Sequence, residues 1–187
     1  MIIGIDEAGR GPLAGPVCAA AVILPEYFYC EYLNDSKKLA SLKREMARQY
    51  IRKEAFAWGI GWASHTEIDE INILQASLLA MKRAFEEMSI KHCIKFTPDD
   101  KAVVDGLYTP AISIHCEAMI KADTNIPEVM AASILAKTAR DRYMIEMAKL
   151  YPQYGYDKHK GYPVKAHREA VLKYGPSPIQ RLSFRVK

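Results

Sequence analysis

Long apolar runs are missing from this chain. No stretch approaches the about 18 consecutive apolar residues that a membrane span needs, so a membrane protein is excluded. Paired cysteines are missing too. Cys18, Cys30, Cys93 and Cys116 form no C-x-x-C pair. Structural zinc draws on close ligand pairs, so free thiols in a reducing compartment are expected instead. There is no internal repeat, low-complexity tract or linker. The first apolar run meets acids at Asp6 and Glu7, too early for a secretory signal. The expectation is a cytoplasmic protein, unattached to membrane. Charge of one sign does not dominate either: Lys and Arg number 26 against 22 Asp and Glu, a net +4, which by itself only slightly favours a polyanionic partner.

What is present is a length of 187 residues, half of them apolar. That is enough for one compact domain with a real core, so residues 1–187 are read as a single unit. The basic residues are unevenly spread. Lys158, Lys160, Lys165, Arg168, Lys173, Arg181 and Arg185 face Glu169 alone. Residues from about 151 to 187 therefore read as a basic C-terminal region, either a substrate-binding face or simply a solvated one.

Residues 1–5 read as a buried strand ending at Asp6-Glu7, and 17–24 as a second strand, joined by the Gly- and Pro-rich segment 9–16. Residues 41–53 have helical spacing, with Leu42, Met46, Tyr50 and Ile51 as the apolar face. Residues 55–63 alternate as a strand with Phe56, Trp58, Ile60 and Trp62 on one face. Ser64-His65-Thr66-Glu67 is a capping-box pattern that starts a short helix, and 73–88 form a longer one. Strands are expected at 101–105 and 111–115. Pro127 opens a helix to Leu150, ended by Tyr151-Pro152, and 163–174 is the last helix. Strands followed by helices in this order indicate a mixed α/β sheet with helices packed on it.

Four acids stand out by context. Asp6 and Glu7 end one apolar strand, Asp105 ends another, and Asp123 lies between a strand and a long helix. A carboxylate at the edge of an apolar strand needs a partner, because desolvating an unpaired charge is costly. A basic side chain can serve, or a divalent cation, and the pattern alone leaves both open. Alternation along a strand points Asp6 and Glu7 to opposite faces, so Asp6 is the candidate bridging ligand and Glu7 the less direct one.

The segment Gly4-Ile5-Asp6-Glu7-Ala8-Gly9-Arg10-Gly11-Pro12-Leu13-Ala14-Gly15-Pro16-Val17 strongly resembles the N-terminal signature of the ribonuclease HII family. Further blocks agree in order: Asp35-Ser36-Lys37-Lys38-Leu39, Asp105-Gly106, Lys121-Ala122-Asp123, residues 131–137 with Arg140-Asp141, His159-Lys160-Gly161-Tyr162, and Arg181 with Ser183-Phe184. The resemblance spans almost the whole chain. It implies a ribonuclease H-like fold, a five-stranded mixed sheet flanked by helices with a small helical C-terminal region. It also implies four catalytic, metal-binding acids, Asp6, Glu7, Asp105 and Asp123, holding two Mn²⁺ or Mg²⁺ ions. The substrates it implies are RNA/DNA hybrids and DNA carrying embedded ribonucleotides, cut to 5′-phosphate and 3′-hydroxyl ends.

Substrate contacts are expected at Gly9, Arg10 and Gly11, whose small residues let backbone approach a ribose, and at Tyr162, the family's substrate-sensing tyrosine. Lys37, Ser133 and Lys137 are expected to meet phosphates, and Ser133, Lys137 and Arg140 share one helix face. A monomer is expected, and no protein partner is indicated. Leu107, Ala122, Val164, Gln180 and Leu182 depart from the family pattern. None is a presumed ligand, and the last three bear on substrate contacts. Two rivals fit less well. An inert hybrid binder has no need of four repelling acids, and a DNA nuclease of similar fold has no need of the G-R-G and K-G-Y segments.

Overall fold

The structure is a computed structural model, and it describes residues 1–31, 33 and 41–186. The Asp35-Ser36-Lys37-Lys38-Leu39 segment, with the expected phosphate contact Lys37, lies outside the described residues. The chain runs β1 (Ile2–Ala8), β2 (Val17–Ile23), α1 (Ser41–Glu54), β3 (Ala57–Ala63), α2 (His65–Lys91), β4 (Lys101–Asp105), β5 (His115–Met119), α3 (Pro127–Leu150), α4 (Tyr156–His159) and α5 (Lys165–Tyr174).

The five strands form one mixed sheet in the order β3-β2-β1-β4-β5. β1 pairs antiparallel with β2, and β2 with β3, while β1–β4 and β4–β5 are parallel. Helices cover both faces. Ile3, Ile5, Ala19, Ala21 and Val104 meet the Ala76, Ala80, Ala84 and Met88 face of α2. Ala20, Val22, Ala47, Ile51, Ala131, Ile134 and Leu135 form the opposite layer with α1 and α3. The expected sheet with flanking helices is therefore present. A third cluster, including Ala14, Met144, Tyr154, Tyr156, Ala170 and Ile179, roots the C-terminal region on α3.

Glycine sets how closely helices approach. A Cβ on Gly61 would lie 2.0 Å from the Ala80 carbonyl oxygen, and one on Gly4 would lie 2.1 Å from the Glu128 carbonyl carbon. The Gly4 approach brings α3 onto β1 beside the acids. β3 is an edge strand whose free backbone groups are covered by α2: Glu87 accepts from the Ile60 N–H and Arg83 donates to the Trp62 carbonyl. This blocks strand addition along that edge.

Some expectations need correction. α1 buries Ala47 and Ile51, while Leu42, Met46 and Tyr50 are exposed, because this outer helix meets the molecule on a narrow stripe. On β3 the alternation is right, but the small residues Ala57, Gly59, Gly61 and Ala63 form the buried side, and Trp58, Ile60 and Trp62 are half-buried. β5 is His115–Met119 rather than 111–115. Ile112 and Ile114 pack against the core as irregular chain, and parallel pairing of Lys101 with His115 and Asp105 with Met119 selects the next residues. α5 starts at Lys165, two residues after Pro163. The capping box is present at Ser64 and Glu67, and α2 contains a break at Asn72 (φ 67°), where the short and long helices were expected to divide.

Gly61→Ala should cost at least about 1–3 kcal/mol, because the added methyl meets backbone rather than a movable side chain. Urea denaturation measures this, and unchanged stability would show that α2 can move away from β3.

Candidate active site

β1 and β4 are neighbours and parallel, with Ile5 opposite Val104. One residue further on, Asp6 and Asp105 stand side by side at the carboxyl ends of the two strands. A 3-10 turn at Ala122–Thr124, entered through a left-handed Lys121, brings Asp123 to them before α3 starts. One ligand atom from each of Asp6, Asp105 and Asp123 lies within 4.8 Å of the others. Asp6 and Asp123 are buried, and Asp105 is half-buried. Asp105 Oδ1 accepts the Ala122 N–H at 2.9 Å, locking the 3-10 turn to β4.

The electrostatics are those of carboxylates buried close together. Burial, with Glu7 and then Asp105 beside it, holds the Asp6 carboxyl well above the usual carboxylate range, opposed by hydrogen bonds from the Glu7 N–H and the Ser133 side chain. Burial also raises Glu7; Arg10 opposes this and Asp105 adds to it. Arg10 is half-exposed and pairs with Glu7 at 3.5 Å, a contact that solvent weakens. Glu7 Oε2 is buried with no hydrogen-bond partner among the described residues. Closely spaced oxygen donors of this kind fit a hard divalent cation. Glu7 itself stands outside the trio, which accords with the alternation of side chains along β1.

Beside the trio opens a groove of about 400 Å³ lined by Glu7, Gly9, Arg10, Gly11, Ser133, Lys137, Tyr162 and Arg44. The sequence therefore anticipated most of its wall, though not Arg44. Ser133 and Lys137 present one face of α3. Lys137 is paired with Asp141 at 2.7 Å and lies 5.7 Å from the Tyr162 ring centre. Arg140, expected beside them on the helix face, instead turns inward and is buried.

Two buried guanidiniums form the groove's foundation. Arg140 donates to the Ala14, Pro16 and Lys160 carbonyls at 2.9–3.0 Å. Arg181 donates to the carbonyls of Gly9 (2.6 Å), Arg10 (3.0 Å), Gly15 (2.8 Å) and Pro16 (3.2 Å). Neither makes a salt bridge to a carboxylate among the described residues. Burial, then the nearby Arg140, pushes Arg181 down to about 9, so it still carries charge at neutral pH. Gly9 (φ 102°) has no room for a side chain, since a Cβ would lie 2.1 Å from Arg140 Nε. Arg181 was expected to belong to a basic surface. It is fully buried, and its charge serves the loop rather than a phosphate. The signal for both arginines was weak, because a carbonyl cage has no spacing rule in sequence.

A mixed five-stranded sheet with carboxylates gathered at the ends of its central parallel strands defines a ribonuclease H-type hydrolase. The sequence profile of the family described as "Ribonuclease HII" matches residues 3–187. The ribonuclease HII of Treponema denticola is 56% identical over 198 residues, spanning 100% of this chain and 99% of the relative. That of Dechloromonas aromatica is 49% identical, spanning 98% and 90%. Among solved structures, the ribonuclease H2 of Pyrococcus horikoshii OT3 superposes with a TM-score of 0.74 at 25% identity, covering 99% of this chain and 94% of that one. The chain belongs to the ribonuclease HII family and is a ribonuclease H, an endonuclease of a divalent-metal-dependent family that acts on RNA/DNA hybrids.

Arg181→Met should destabilise the fold by at least about 3 kcal/mol, because several buried carbonyls lose their donor at about 1–3 kcal/mol each. Arg181→Lys, which keeps the charge but loses the fork, should fall between. Equal stability of all three proteins in guanidinium titration would remove the cage from the account.

Proposed function

We propose that this enzyme cuts both the RNA strand of RNA/DNA hybrids and single ribonucleotides embedded in duplex DNA, by metal-assisted in-line hydrolysis. The observation that carries the reading is the carboxylate trio of Asp6, Asp105 and Asp123, joined through Glu7 and Ser133 to a groove walled by Gly9–Gly11 and Tyr162. Asp6, beside Glu7 and Asp105, is the candidate shared ligand, with Asp105, Asp123 and the less direct Glu7 completing the catalytic set. Two Mn²⁺ or Mg²⁺ ions held there would neutralise the acids, make water nucleophilic at neutral pH and stabilise the departing 3′ oxygen.

The remaining roles belong to the chain. Arg181 draws the Gly9 and Arg10 carbonyls inward, which frees the other side of this loop to meet a 2′-hydroxyl, the one group that separates RNA from DNA at a single position. Arg10, half-exposed, can fork onto a phosphate. Ser133 holds Asp6 and lines the groove, and Lys137 neutralises backbone phosphate. Tyr162, partly exposed beside Gly11, would rest on the sugar next to the ribonucleotide. Lys37 is assigned a phosphate contact on the family resemblance alone. Residues from about 151 to 187 act as the substrate-binding part of a single domain, with Lys158, Lys160, Lys165 and Lys173 available to the duplex. The enzyme is proposed to work as a monomer in the cytoplasm.

The test is a DNA duplex bearing one ribonucleotide, incubated with Mn²⁺ or Mg²⁺ and mapped for its cut. A single cut leaving 5′-phosphate is expected, and cutting of all-DNA duplex at the same rate would sink the reading. Asp105→Asn keeps an acceptor for the Ala122 N–H but should lower turnover by at least about a hundredfold. Mn²⁺ should raise the melting temperature of the wild-type protein and raise that of Asp105→Asn much less. Normal turnover in that variant would remove Asp105 from the site. Tyr162→Ala should slow cleavage at single ribonucleotides without loss of fold.

A further inference from the structure

Tyr162 sits on an irregular turn between α4 and α5, and two histidines hold the backbone on either side of it. Lys160 (φ 53°) and Gly161 (φ 83°) both take left-handed conformations, so the turn depends on tertiary contacts to persist. The Gly161 N–H donates to His159 Nδ1 at 3.2 Å, and His159 Nε2 lies 2.8 Å from the Tyr154 carbonyl. These two contacts fix the tautomer: Nδ1 must carry the lone pair and Nε2 the proton. His167 Nδ1 lies 3.0 Å from the Tyr162 carbonyl and must therefore donate to it. His167 is fully buried, and its Nε2 has no hydrogen-bond partner among the described residues. The two rings stack with centroids 4.6 Å apart at 17°, and Tyr156 meets both edge-on, its hydroxyl bonded to Ser177.

We propose that His159 and His167 are positioning residues for Tyr162: as a neutral stacked pair they fix the turn that sets this ring over the groove, and protonation of either one releases it. The proposal rests on the reading of Tyr162 as the residue that meets the substrate sugar.

Both hydrogen-bond patterns require neutral rings. A proton on His159 Nδ1 would take away the acceptor for Gly161. A proton on His167 Nε2 would bury an unpaired charged N–H and set it against the neighbouring ring. The charged and titratable groups around the pair do little to rescue the cation. Asp157 favours a charged His159, Lys160 opposes it, and Tyr154 and Tyr156 close the remaining sides; no carboxylate is ion-paired to either ring among the described residues. For His167, the Tyr162 and Gly161 backbone favours the cation, while burial and His159 oppose it. Burial is the largest influence on both and holds them below the usual imidazole range. The sign follows by linkage. The ordered turn binds fewer protons than the released one, so it is unaffected above a pH of about 6.5 and is progressively penalised below it.

The experiment combines tyrosine-labelled NMR with kinetics on a duplex bearing one ribonucleotide. The Tyr162 ring signals, assigned by their absence in Tyr162→Phe, should move as the pH falls below about 6.5 and should move in His167→Ala at neutral pH. His167→Asn offers an amide that can still donate to the Tyr162 carbonyl, and it should restore both the signals and the rate at pH 7.5. Asn at both histidines should remove the acid dependence of the signals. His167→Ala should lower kcat/KM by about 10- to 100-fold, and adding it to Tyr162→Ala should cost little more than Tyr162→Ala alone. Losses that multiply in the double variant would overturn the proposal, as would Tyr162 signals indifferent to His167 and to pH. Signals that respond while Tyr162→Ala cuts normally would leave the positioning intact and remove the sugar-contact reading instead.

Discussion

Like charges held close against their own repulsion are the constraint on which this molecule turns. Parallel pairing of β1 with β4 sets Asp6 next to Asp105, and the turn locked by the Ala122 N–H adds Asp123. Burial raises the cost of each negative charge, and the pattern of raised carboxyls around Asp6 and Glu7 expresses that cost. The surrounding fold has to be rigid enough to bear it. The Gly4 approach, which seats α3 directly on β1, and the alanine-rich inner face of α3 supply that rigidity at the point of greatest strain.

Two positive charges lie buried nearby. Arg140 and Arg181 are buried in the same quarter of the protein, yet they spend their hydrogen bonds on seven backbone-carbonyl contacts rather than on carboxylates. Directing them to carbonyls shapes the Gly9–Pro16 segment. The third layer of support is aromatic and neutral: the stacked histidines and Tyr156 beneath the turn of Tyr162. Negative, positive and aromatic clusters thus lie side by side around the groove.

Much of this was legible in the sequence where a periodic rule applied. β4 and α3 fall on the expected residues because an apolar run ends at Asp105 and because Pro127 and Tyr151-Pro152 bracket α3. β5 was misread because Ile112 and Ile114 are apolar for burial rather than for pairing. α1 falls where expected, but its buried face was misjudged because apolar Leu42 and Met46 face solvent on an outer helix. At the site, acids at strand ends were visible from context, and the family resemblance identified the groove wall. Arg140 and Arg181 were read as helix-face and surface charges, since nothing in local sequence distinguishes a guanidinium that faces water from one caged by carbonyls up to 172 residues away.

That last separation has a consequence for how the enzyme is made. The contact from Arg181 to the Gly9 carbonyl closes a span of 172 residues, whereas Asp6, Asp105 and Asp123 are all synthesised well before Arg181. A nascent chain can therefore assemble its acid cluster while the glycine loop still lacks one of its two clamps. Long-range closures of this kind form late. The shape of the Gly9–Pro16 segment would then be settled last, after the neighbouring strands have paired.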